Sequence, residues 1–190
     1  MSGTSAVSIC SNALLLLSDD PIDSFDVDNN RTRLVANLYA QKRDKVLRAH
    51  PWNCAVKRDI LSPDTTAPAF GWAYQFQLPS TCLRTLSVGD EDAPDDYQVE
   101  GRKILMNTNV CRLRYIWRNE VEATWDATLV DAMTQVMVAA LTYPVTKSTT
   151  KQATEEEIVK RVLKEARAID GQENPPETLG DFPLLANRMR

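Results

Sequence analysis

Arg43-Asp44-Lys45-Val46-Leu47-Arg48-Ala49-His50-Pro51-Trp52-Asn53-Cys54-Ala55 is the stretch that decides how this chain divides. A charged helical run meets proline at position 51, and proline disfavours helical backbone for the residue before it. A helix is therefore predicted to end at about His50. Trp52 follows at once, with apolar area to bury against the helix just left or its neighbour. Upstream the apolar spacing is helical, and downstream it becomes mostly that of strands. His50, Pro51 and Trp52 form a structural corner between two parts of the fold.

Working back from the corner, residues 30–49 place Val35, Leu38, Tyr39, Val46 and Ala49 on one inner stripe. The outer face is read as basic: Arg31, Arg33, Lys42, Arg43, Lys45 and Arg48, against Asp44 alone, with Lys57 and Arg58 beyond the corner. A solvated helix face normally mixes signs, so this run points either to plain solubility or to an acidic partner, DNA phosphate or a carboxylate-rich protein surface. Residues 4–18 repeat the helical spacing at Ala6, Ile9, Cys10, Ala13, Leu14 and Leu17, with Thr4 or Ser5 as the cap and Pro21 beyond the end. The loop between these helices carries Asp19, Asp20, Asp23, Asp26 and Asp28. An EF-hand counted from Asp26 would need glycine sixth and glutamate twelfth, where Arg31 and Asn37 stand. The loop is read as solvated, with Asp28 or Asn29 capping the second helix.

Forward from the corner the period shortens to two. Ala73–Leu78, Leu83–Val88, Tyr97–Glu100, Lys103–Met106 and Cys111–Trp117 are predicted strands, with Gly101-Arg102 turning a hairpin. Among them lies an acidic loop, Asp90, Glu91, Asp92, Asp95 and Asp96, in which nothing buries a carboxylate; it is read as a solvated loop or as a face for a basic partner. Residues 126–142 form the most apolar helix, central to a bundle and stopped by Pro144. Residues 154–170 form an amphipathic fourth helix with Glu155–Glu157 in its first turn and Gly171 closing it. The residues from 172 to 190 combine Pro175, Pro176, Gly180 and Pro183 with Phe182, Leu184, Leu185 and Arg188, the composition either of a floppy end or of an extended arm that docks on another chain.

The expected fold is α+β, mainly α: a four-helix bundle with a small antiparallel β-sheet inserted between helices 2 and 3, and an extended C-terminal arm. The bundle takes 1–61 and 119–171, the β domain 62–118 and the arm 172–190. A net charge of −4 argues against a free-standing nucleic-acid binder. The four cysteines show no CxxC spacing and the chain has one histidine, which excludes the usual zinc patterns and a disulfide framework. Leu14–Leu17 is too short, and too soon followed by Asp19-Asp20, for a signal peptide or membrane span, so a soluble protein made in the cytoplasm is expected. No dinucleotide, Walker, nucleophile-elbow or zincin motif occurs, and no nucleophile–base pair can be named. No enzyme activity, metal or cofactor is expected.

The joint order of these elements resembles the tail tubular protein A family, the head-to-tail adaptors or gatekeepers of short-tailed bacteriophages. The likeness is carried by Arg43-Asp44 through His50-Pro51-Trp52-Asn53, Phe70-Gly71-Trp72-Ala73-Tyr74, Leu78-Pro79, Tyr97-Gln98-Val99-Glu100-Gly101-Arg102, Tyr115-Ile116 and Trp125-Asp126. It covers most of residues 6–168. Cys54 departs from it, standing where the family commonly has an aromatic. The resemblance implies a structural virion protein at the head–tail junction: a dodecameric ring below the portal protein, with the nozzle, tail tubular protein B, beneath. The helical part would build the ring wall around the channel through which viral DNA passes without sequence recognition. The sheet would project toward tail fibres or nozzle, with no membrane involved. On that view the basic face and the acidic loop are candidate subunit or partner interfaces, and Phe182, Leu184, Leu185 and Arg188 a candidate portal-docking arm. The alternative from residues alone is a non-specific DNA-binding module using the basic face of helix 2.

Overall fold

The computed structural model describes residues 3–27, 29–90 and 93–173. Helix α1 (Ala6–Leu16) starts in a reciprocal cap: Ser8 N–H donates to Ser5 Oγ at 3.2 Å and Ser5 N–H donates to Ser8 Oγ at 2.9 Å. Helix α2 (Asn30–Ala49) is capped by Asn29, whose Oδ1 accepts from Thr32 N–H at 2.8 Å. His50 then leaves the helix with extended backbone, as the residue before proline must.

A short 3-10 turn at Asn53–Ala55 leads into β1 (Val56–Leu61), a strand absent from the sequence expectation. Its Lys-Arg-Asp centre hides the alternation, because it is an edge strand with most side chains exposed. After β2 (Tyr74–Gln77), β3 (Cys82–Asp90), β4 (Ala93–Pro94), β5 (Tyr97–Glu100), β6 (Lys103–Met106) and β7 (Cys111–Trp117), the chain returns to helix in α3 (Ala127–Thr146) and α4 (Thr149–Gln172).

The expectation of a four-helix bundle carrying a single small sheet is overturned. The strands form two antiparallel sheets. One has the order β1-β7-β3, extended by the two-residue β4; the other is β2-β6-β5. Strand β7 shows why two are needed. Its alternate residues Cys111, Leu113 and Tyr115 point into a core shared with Phe76, Val88, Ile104 and Met106, so the sheets close on each other. Ile116, on the opposite face, belongs to the helical core with Trp52, Ala55 and Leu129. One strand thus serves two cores.

The helices do not close into a bundle either. Helix α3 is their common partner, with α1, α2 and α4 packed on it. Helices α2 and α4 leave an open groove between them, floored by α3. By length and hydropathy α3 could cross a membrane, yet 56% of that stretch is buried inside the fold, the condition of a core helix.

Three boundaries also differ from expectation. Pro144 does not stop α3, which runs on to Thr146 and ends at Lys147 in left-handed backbone. In the last turn proline removes one helical hydrogen bond, which the remaining packing tolerates. Helix α4 begins at Thr149 behind a Ser148 cap, so Glu155–Glu157 lie beyond its first turn, and Gly171 sits within it. Ala49, placed on the inner stripe by its spacing, is exposed.

Candidate functional site

The helix corner is bolted to the far end of the chain. Asp170, 5% exposed, receives three contacts there. His50 Nε2 lies 2.9 Å from its Oδ2, Asn53 N–H donates to its Oδ1 at 3.0 Å, and Asn53 Nδ2 donates to its backbone carbonyl at 2.9 Å. An ionised carboxylate only accepts, so His50 carries a proton on Nε2. Trp52 is 1% exposed, donates from Nε1 to the Val46 carbonyl at 3.0 Å and meets the His50 ring edge-on at 4.7 Å. The corner therefore ties α2, the start of β1 and the end of α4 into one joint. Sequence inspection missed Asp170, although there was a signal. A carboxylate in the last turn of a helix opposes the helix dipole and so asks for a tertiary partner.

The outer basic face of α2 loses Arg43 to the interior, while Arg33, Lys45 and Arg48 are exposed and Arg31 and Lys42 half-buried. Arg43 is 8% exposed and pairs at 2.9 Å with both Asp44 and Glu120. Asp44 Oδ2 also accepts from Arg118 Nε at 2.8 Å, so two arginines and two carboxylates join α2 to the segment after β7. Arg31 pairs with Asp19 at 2.9 Å, and Arg48 donates to the Leu83 carbonyl. Lys57 lies 4.5 Å over the Trp117 ring. Arg33 is exposed and also makes an interaction of its own. Lys42 and Lys45 line the groove between α2 and α4.

That groove encloses about 460 Å³. Its apolar lining includes Leu38, Val46, Val136, Ala140, Val159 and Leu163, with Lys160, Arg167 and Glu156 contributed by α4. Arg167 Nε is buried there without a hydrogen-bond partner among the described residues.

On the sheet, Asp90 pairs with Arg112 at 3.1 Å, both side chains more than half exposed. Asp95 is half-buried, its N–H bonded to the Val88 carbonyl, and Asp96 is exposed. Glu91 and Asp92 lie outside the described residues, as do the arm residues Phe182, Leu184, Leu185 and Arg188. Among the described residues, no ion pair joins Asp90, Asp95 or Asp96 to the α2 lysines.

Nucleophilic chemistry finds little here. His50, the single histidine of the chain, is committed to Asp170. Burial, with Glu122 nearby, pushes the Cys10 thiol up to about 12, and burial likewise raises Cys54 and Cys111 to about 11. Thiols so placed stay protonated and inert at neutral pH. Tyr39 donates to Oε1 of the buried Glu122 at 2.9 Å, and burial moves its own ionisation upward. Among the described residues no group of three or more histidine, cysteine or acidic side chains could hold a metal ion.

No protein-family model and no curated protein matches the chain.

Proposed function

We propose that this chain is a structural subunit of a head-to-tail adaptor ring, joining the portal of a short-tailed phage to its tail nozzle. The sequence resemblance supplies the assembly. The joint at His50, Trp52, Asn53 and Asp170 is the observation that carries it physically. It fixes the helical body against the paired sheets, so that surfaces on either side keep a constant relation from subunit to subunit. A closed cyclic ring needs that constancy, because each interface is head-to-tail and a small angular error accumulates around the circle.

Against the rival, a DNA-binding module using α2, stand the burial of Arg43 between Asp44 and Glu120 and the pairing of Arg31 with Asp19. A duplex-binding protein would need such charges for phosphates and would show a steep salt dependence.

The test is native mass measurement of the chain alone and mixed with its portal. A ring of defined copy number in the mixture is expected. A monomer in both samples overturns the proposal, and salt-sensitive binding to duplex DNA by the free chain would install the rival.

A further inference from the structure

The groove and the end of α1 have matching chemistry on different surfaces. The groove is apolar at its base, and its lining carries Lys42, Lys45, Lys160 and Arg167 against the single carboxylate of Glu156. Lys160 already leans on Glu157 at 2.6 Å. Arg167 keeps a buried Nε unpartnered among the described residues, an orphan donor that a carboxylate would satisfy.

At the end of α1 the pattern inverts. Leu15 and Leu16 are 56% and 64% exposed, adjacent large apolar side chains on a helix whose other apolar residues are buried or half-buried. The backbone reverses directly after them: Ser18 has φ 60°, Ser18 N–H bonds the Leu15 carbonyl and Asp19 N–H bonds the Leu14 carbonyl. Asp20 and Asp23, both exposed, then flank the buried Ile22. Ile22 is pinned to α1, because Ser11 Oγ donates to its carbonyl at 2.5 Å and accepts from its N–H at 3.2 Å. The result is an ordered apolar knob with an acidic border. No α1 residue lines the groove of its own chain.

We propose that the knob of one copy, Leu15 and Leu16 with Asp20 and Asp23, seats in the α2–α3–α4 groove of the next copy. The two leucines cover the apolar floor, and the two aspartates meet Lys42, Lys45 and Arg167. Two unlike surfaces on one chain make a heterologous contact, which propagates into a ring or a filament. This inference rests on the ring proposed above and names the surfaces that build it.

The test is disulfide trapping in the full chain. Leu16→Cys and Ala140→Cys are made singly, mixed together with portal and oxidised at high concentration, with Leu16→Cys plus Val99→Cys as the control pair. The raised native thiols stay largely silent near neutral pH. The 16–140 product should exceed the control. Adding Lys45→Glu and Arg167→Glu to the groove chain should lower it about tenfold, and Asp20→Lys with Asp23→Lys on the knob chain should restore it.

A 16–140 yield at the control level overturns the contact. If the wild type still forms a ring with portal, the ring survives and only its interface is wrong. If it forms none, both proposals fall together. A product that appears only after residues 174–190 are deleted would make that segment the groove's occupant in place of a second copy, and would also overturn the contact.

Discussion

His50 Nε2 and Asp170 Oδ2 lie 2.9 Å apart although 120 residues separate them. That pair, with Asn53 completing the carboxylate's contacts, closes the helical body by fastening its last turn to the corner where the sheets begin. Asp170→Ala removes the acceptor for two donors at once, one of them a backbone N–H. Leaving such groups unmet costs about 1–3 kcal/mol. Denaturant titration should show that loss, and Asp170→Asn, which retains an acceptor for Asn53 N–H, should lose less. Equal losses for the two variants would mean that packing alone holds the end of α4.

Trp52 reports on the same joint through burial. Trp52→Ala should cost about 3–5 kcal/mol, since the side chain is 1% exposed and the cavity cannot collapse around a fixed proline corner. Trp52→Phe keeps most of the volume but strands the Val46 carbonyl, with an expected cost of about 1–2 kcal/mol. A melting temperature unchanged in either variant would contradict the corner's role in holding the two bodies together.

Part of this was readable before the structure. The ends of the first two helices were legible: the cap at Ser5, read as Thr4 or Ser5, the cap at Asn29, read as Asp28 or Asn29, and the His50-Pro51 stop act within four residues of chain. Pro144, Gly171 and the start of α4 were misplaced, because the folded helices carry a proline in a last turn and a glycine near an end. The hairpin at Gly101 was legible, as glycine supplies the positive φ, here 59°, that its turn uses. Partnerships were not. That β7 would divide its faces between two cores, or that β1 would pair with it from Val56 opposite Ile116, depends on residues some sixty positions apart. Arg43 was misplaced for a different reason. It follows Tyr39 by four residues and precedes Val46 by three, so its spacing puts it on the inner stripe, where its charge is met by Asp44 and Glu120.

The buried thiols give the fold a pH signature. Each is an acid whose neutral form is favoured in the folded state. Cys10, ordinarily at 9.0, is pushed up to about 12 by burial and then by Glu122. Cys54 and Cys111 rise to about 11, from burial first and then from Asp170 and Asp95 respectively. Above pH 9 the unfolded chain ionises these groups and the folded chain does not, so unfolding releases protons. Stability complete below that pH is lost as pH rises toward the folded values, by at most about 1.4 kcal/mol per pH unit for each thiol. Melting temperatures from pH 8 to 11 should fall, and Cys10→Ala should flatten the slope. A flat wild-type profile would show that these thiols are not protected.

The groove cations of α2 separate assembly from folding. Lys42 and Lys45 line an open groove. Reversing both to glutamate should shift stability by no more than about 0.5 kcal/mol, the usual range for surface changes away from a special contact. Arg43 differs, being held between Asp44 and Glu120. Arg43→Glu buries an unpaired carboxylate beside Asp44 and Glu120 and should cost about 1–3 kcal/mol, the penalty of an unmet buried polar group, with the exposure of Glu120 screening the repulsion. Denaturation measures the first property, and sedimentation of the portal mixture the second. The expected outcome is that Lys42→Glu with Lys45→Glu folds normally and assembles poorly, while Arg43→Glu loses stability. If the lysine pair assembles as the wild type does, the groove takes no part in the ring. If Arg43→Glu is as stable as the wild type, the cluster joining α2 to the end of β7 contributes nothing to stability.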